Sequence, residues 1–220
     1  MRSAEIVHEG DEQMIFKFIY HCLVAIAFLM FVSCISRASD VTTTSFATPD
    51  KTYSIEYLSP TEDDRDIETI NVDYNSLITT FDKLNLSTYW SVTATYATGS
   101  ITQLEGDINA GTLKEVQFDN SAFGIGPGLL LNFRLIEFSG MSLHLNGSGN
   151  LIIYSERFPA GGEYYNFMWR GGPVVRYNLG KSKSIGFSYQ VSHVSNGQGL
   201  SSKNPSYDAR GFALRYSSLF

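Results

Sequence analysis

The chain has 220 residues, a formal charge of −6 at pH 7, 17% charged and 14% aromatic residues, the aromatics mostly 13 Tyr and 15 Phe. That length fits one sizeable domain, and the lack of a basic excess argues against nucleic acid as a partner. Few charges and many aromatics suit a surface that meets lipid.

The first readable element is an export signal. "MIFKFIYHCLVAIAFLMFVSCISRASD" offers Lys17, an apolar run from about Phe18 to Val32, and a small-residue exit ending at Ala38. Cleavage is expected after Ala38, so that residues 1–38 are extension and signal and residues 39–220 form one domain. The acidic stretch before Met14 is either an extension or precedes the true start. Lipidation at Cys34 and an uncleaved anchor are the alternatives, the first disfavoured by the bulky approach Phe31-Val32-Ser33. Cys22 and Cys34 both fall in the signal. The mature chain would therefore hold no disulfide, thiolate metal ligand or Cys nucleophile.

Beyond residue 38 the pattern has a period of two, repeated in segments of about 10–16 residues. In "FGIGPGLLLNFRLIEF", Phe123, Ile125, Pro127, Leu129, Leu131, Phe133 and Leu135 share one face, opposite Gly124, Gly126, Gly128, Asn132 and Arg134. "EYYNFMWRGGPVVRYN" sets Tyr165, Phe167, Trp169, Val175 and Tyr177 against Asn166, Arg170, Arg176 and Asn178. Strands are expected near 52–58, 67–78, 84–98, 122–137, 141–154, 163–178, 183–195 and 207–219. Short turns near 81–83, 138–140 and 179–182 alternate with long polar loops near 59–66, 99–121, 155–162 and 196–206.

A sandwich or lipocalin-like barrel also alternates. The Arg, Asn, Ser and Gly on the polar face, and the alternation of short and long connections, favour an all-β, eight-stranded antiparallel up-and-down transmembrane β-barrel in the outer membrane of a Gram-negative bacterium. An even strand count puts both ends in the periplasm, and the terminal Phe220 is similar to the end signal of such barrels. Eight strands leave a lumen filled by side chains, which excludes an open pore.

In the seventh strand Ile185, Phe187, Tyr189 and Val191 form the apolar face, and parity places His193 and Ser195 on it. Asp208 shares parity with Phe212, Leu214 and Tyr216 in the eighth. A hairpin across 196–206 then brings Asp208 beside His193 and Ser195, on the outer wall near the external rim. Ionisable groups there are unfavourable unless they serve a purpose. A Ser activated by a His, itself oriented by an acid, is the set an ester hydrolase uses.

"HVSNGQGLSSKNPSYDARGFALRYS" resembles the C-terminal signature of the PagL-type lipid A deacylases: His-x-Ser-Asn, a Gly-bearing loop, Asn-Pro and an acid on the final strand. The resemblance implies an eight-stranded outer-membrane barrel that removes the 3-O-linked acyl chain of lipid A, the lipid anchor of lipopolysaccharide, without metal or other cofactor. It implies Ser195 as nucleophile, His193 as general base and Asp208 as acid, with Asn196, Gly197 and Gly199 helping to hold the oxyanion. The family's type member has Glu as the acid; here Asp208 is the one carboxylate after Ser195. Cleavage of a glycerophospholipid ester by the same trio, and a non-enzymatic barrel whose loops bind a partner, are the other readings. Arg210 or Lys203 near the rim would reach phosphates, although an exposed cation at a loop is ordinarily just solvated. A homodimer is compatible with the fold, but no residue pattern points to one.

Overall fold

A computed structural model describes residues 48–106, 111–180, 182–196 and 205–219. The expected signal at 1–38 with its two cysteines, and Gly197, Gly199 and Lys203, lie outside the described residues. Strands β1 (Lys51–Pro60), β2 (Arg65–Phe81), β3 (Leu86–Glu105), β4 (Lys114–Phe138), β5 (Met141–Phe158), β6 (Glu163–Asn178), β7 (Lys183–Ser195) and β8 (Tyr207–Ser218) follow in order. Each pairs antiparallel with the next, and β1 pairs with β8, so the sheet closes. Closure leaves no unpaired strand edge for lipid to meet, which a spanning sheet requires.

Alternation along the strands sorts residues into two environments. Outward rows are apolar, for example Ile55, Val72, Trp90, Val92, Phe123, Ile125, Leu129 and Leu214, each more than two-fifths exposed. Such a wall is stable only in a bilayer. Tyr74, Tyr53 and Tyr216 stand side by side across β2, β1 and β8 in register, an aromatic girdle at the end of the short turns.

The inward rows are polar in the middle of the barrel and apolar above. Arg170 on β6 contacts Glu56 on β1 at 3.0 Å and Asp73 on β2 at 2.7 Å. Thr93 and Ser54 donate to Asp73 at 2.6 and 2.9 Å, and Asn71 donates to Glu56 at 2.8 Å. Nearer the long loops, Ile67, Ala97, Ile152, Tyr154, Phe158, Met168, Val194 and Tyr207 pack into an apolar plug. A polar cavity of about 10 Å³ beside Arg170 has room for one water. Side chains therefore fill the lumen.

The short turns match expectation. Ser139 (φ 37°) and Gly140 (φ 84°) both take the left-handed conformation. This is the two-residue hairpin geometry that glycine favours. On the closing strand, a Cβ at Gly211 would lie 2.0 Å from the Tyr57 carbonyl oxygen, so only glycine lets β8 approach β1 there.

Three boundaries differ from the sequence reading. The segment 99–121 is mostly strand: β3 and β4 continue in register to the Glu105–Lys114 pair, well beyond their last partners on β2 and β5. This hairpin arm is tied to its surroundings by Thr102 N–H to the Asp64 carbonyl (2.8 Å), Gln103 to the Ala160 carbonyl (3.2 Å) and Asn120 to the Arg157 carbonyl (2.7 Å). Polar residues serve in it because backbone hydrogen bonds hold the ladder and neither face needs an apolar row in water. The expected loops at 59–66 and 155–162 shrink to 61–64 and 159–162 for the same reason. A bulge in the β4–β5 register falls at Leu135 and turns both Leu135 and Ile136 outward.

Candidate functional site on the outer wall

His193 and Asp208 are direct cross-strand partners of β7 and β8. Both take the parity of the outward rows, between the buried Ser192 and Val194 on β7 and between Tyr207 and Ala209 on β8. His193 Nδ1 and Asp208 Oδ1 are 2.6 Å apart, a short, charge-assisted hydrogen bond that Nδ1–H donates. Their side chains are 31% and 47% exposed, so the pair is reachable from outside the barrel.

Depth follows from the strand. Ile185 lies in register between the girdle residues Tyr177 and Tyr216, eight residues below His193 on β7. At ~3.4 Å per residue and a tilt of ~40°, the imidazole sits roughly 20 Å above that girdle, close to the far edge of an apolar band about 25 Å tall. The pair therefore stands at the external boundary between hydrocarbon and head groups.

Ser195 is two residues further along the same face, half-buried and opposite Phe167 on β6. Its hydroxyl makes no hydrogen bond to the imidazole among the described residues. Cα atoms two apart on a strand are ~7 Å from each other, a gap that rotamer choice on both side chains can close. With Nδ1 engaged by Asp208, Nε2 is the nitrogen left for that hydroxyl. A Ser–His–Asp set in this order can deliver a nucleophilic oxygen to an ester lying against the wall.

Asn196 faces the other way. Its side chain is fully buried and donates to the Tyr165 carbonyl (2.9 Å) and to Asn166 Oδ1 (2.7 Å), while Asn166 donates to the Phe158 carbonyl (2.7 Å). The chain of amides braces the top of β6 and β7 beneath Ser195.

Residues not expected from sequence complete the surroundings. Trp169 stacks on His193, with ring centroids 5.8 Å apart and an interplanar angle of 29°. Counting outward from the tight 179–182 turn would have paired 169 with 193, so the signal was there. The Asp208 carbonyl accepts from both the backbone N–H and the hydroxyl of Thr61, each at 3.1 Å. Arg65 donates to the Ser206 carbonyl at 2.7 Å and to the Ser206 hydroxyl at 3.1 Å. These contacts clasp the start of β8 to the β1–β2 loop. They join residues about 140 positions apart, and no local pattern announces them.

Fold and wall together define an eight-stranded barrel of the outer-membrane type with an ionisable pair on its lipid-facing surface. No protein-family model matches the chain, and no curated protein matches it by sequence. Among solved structures, the chain is similar to the outer membrane enzyme PagL, with a TM-score of 0.51 and 14% identity over 74% of this chain and 97% of that one. Lower similarity extends to the Yersinia pestis outer membrane protein Ail (TM-score 0.35, 16% identity, 76% and 99% covered). The outer membrane protein AlkL follows (TM-score 0.31, 11% identity, 82% and 94% covered). At these identities the likeness concerns the fold.

Proposed function

We propose that this barrel is an ester hydrolase of the outer membrane that removes the 3-O-linked acyl chain from lipid A of lipopolysaccharide. The observation that carries the reading is the 2.6 Å His193–Asp208 hydrogen bond on the outward face, with Ser195 next in the same row. A polar pair at the edge of hydrocarbon is unfavourable unless it meets a substrate there. An acylated glycolipid places its esters at that depth, with chains along the apolar wall and phosphates outside.

In this mechanism Ser195 Oγ attacks the ester carbonyl while His193 Nε2 takes its proton. Asp208 holds the ring and stabilises the imidazolium. Asn196, with Gly197 or Gly199, helps to hold the developing oxyanion in this reading. Collapse releases the sugar hydroxyl, which receives the proton from His193, and water then hydrolyses the acyl-enzyme by the same route in reverse. The products are a 3-hydroxy fatty acid and an under-acylated lipid A.

Expression of the chain in a bacterium lacking such an activity, followed by mass spectrometry of its lipid A, tests the reading. Loss of one 3-hydroxyacyl group with the natural sequence and none with S195A is expected. An acylation pattern unchanged by the natural, correctly inserted chain defeats the proposal in favour of a non-enzymatic barrel. Release of fatty acid from glycerophospholipid alone would reassign the substrate.

A further inference from the structure

Trp169 is the neighbour of His193 that the mechanism above leaves unused. It faces His193 directly from β6, as Asp208 does from β8, so the imidazole is the centre of a Trp–His–Asp row across three strands. The indole is 52% exposed, as a membrane-anchoring tryptophan at this height would be. An anchor, however, needs no particular neighbour. This ring lies against an imidazole, tilted by only 29° at a centroid separation of 5.8 Å.

Resting on the hydrolytic reading of the site, we propose that Trp169 is a positioning residue that holds the His193 ring from the strand opposite Asp208 and stabilises its protonated form during proton transfer. An aromatic face attracts a cation within about 6 Å of its centroid, and tryptophan does so best. Neutral imidazole gains only van der Waals contact from the same face. The interaction therefore strengthens as Ser195 gives up its proton, which is the condition for lowering a barrier rather than tightening the ground state. Its place at the edge of hydrocarbon reinforces it, because little water screens the charge.

The test has two arms, both on the folded chain in detergent or lipid. The chain has two tryptophans, Trp90 and Trp169, so W90F leaves Trp169 as its one indole. Protonation of His193 should quench its emission, giving a pH dependence that vanishes in H193Q. Emission that is flat with pH, or a titration that survives H193Q, overturns the proposal whatever the enzyme does. In the second arm, W169L keeps the apolar cover but removes the π face. We expect kcat on an ester substrate to fall about tenfold with KM little changed; W169F restores most of the rate. An unchanged kcat with a raised KM would make Trp169 a lipid contact and overturn the positioning role. If the wild-type chain cleaves no ester yet shows the titration, the hydrolase reading and the catalytic role fall together, and the ring contact stands apart as a structural one.

Discussion

At His193 one side chain faces two different partners, a carboxylate on β8 and an indole on β6, and its second nitrogen remains for a hydroxyl. The carboxylate's role can be isolated. D208N keeps the shape but removes the acceptor charge, and should lower kcat by roughly 10²–10⁴ without unfolding the barrel. D208E should keep a measurable part of the rate, since only the reach changes. Equal activity of D208N and the natural sequence on an ester assay would remove Asp208 from the mechanism. Asn196 behaves differently because its amide is spent inside. N196A should lower the unfolding free energy by about 1–2 kcal/mol while leaving kcat within a few-fold, as expected when a buried amide's partners lose their hydrogen bonds and the backbone N–H is kept. A large loss of kcat with unchanged stability would show the side chain itself at the oxyanion.

At the scale of elements, the site depends on how β8 begins. Thr61 and Arg65 fasten Ser206 and Asp208 to the β1–β2 loop, so the acid's backbone is held from outside its own hairpin. R65A should reduce kcat several-fold by loosening that strand end, with thermal stability nearly unchanged. An R65A variant with unaltered kcat would show the clasp to be dispensable. The hairpin arm formed by the far ends of β3 and β4 is a contrasting case. It carries none of the barrel's closing hydrogen bonds, and shortening it to a tight turn should leave heat-modifiable gel mobility intact.

For the whole molecule, the Glu56–Arg170–Asp73 network is the principal polar linkage across the lumen, joining β6 to β1 and β2. A second buried cation, Arg215, lies beside the same cavity, so removing Arg170 leaves two buried carboxylates for one cation. R170L should therefore destabilise the barrel by about 3–5 kcal/mol in urea unfolding, whereas R170L combined with E56L, which leaves Asp73 with Arg215, should recover much of that loss. A double variant as unstable as R170L would mean that the network contributes through shape rather than charge. The site lies on the outside of the same wall, so these variants should affect activity only by way of the fraction folded.

Much of this architecture was legible from alternation. A spanning strand must present apolar groups to lipid and can present polar ones to a packed lumen, so a period of two reports both the fold and the side on which each residue stands. That is why the outward parity of His193, Ser195 and Asp208, and the pairing of β7 with β8, could be read from residues alone. The same rule fell silent above the membrane, where the hairpin arm at 101–118 mixes apolar and polar residues on each face, as in the pairs Gln103–Val116 and Leu104–Glu115, and read as loop. It was also silent on the clasp from Thr61 and Arg65 and on the amide chain beneath Ser195, since closure of the barrel sets those contacts and the chain order does not. Within the spanning strands, away from bulges such as that at Leu135, the sequence determined which face a side chain takes. Only the tertiary structure decided which strand ends meet, because register around a closed ring is a property of all eight strands together.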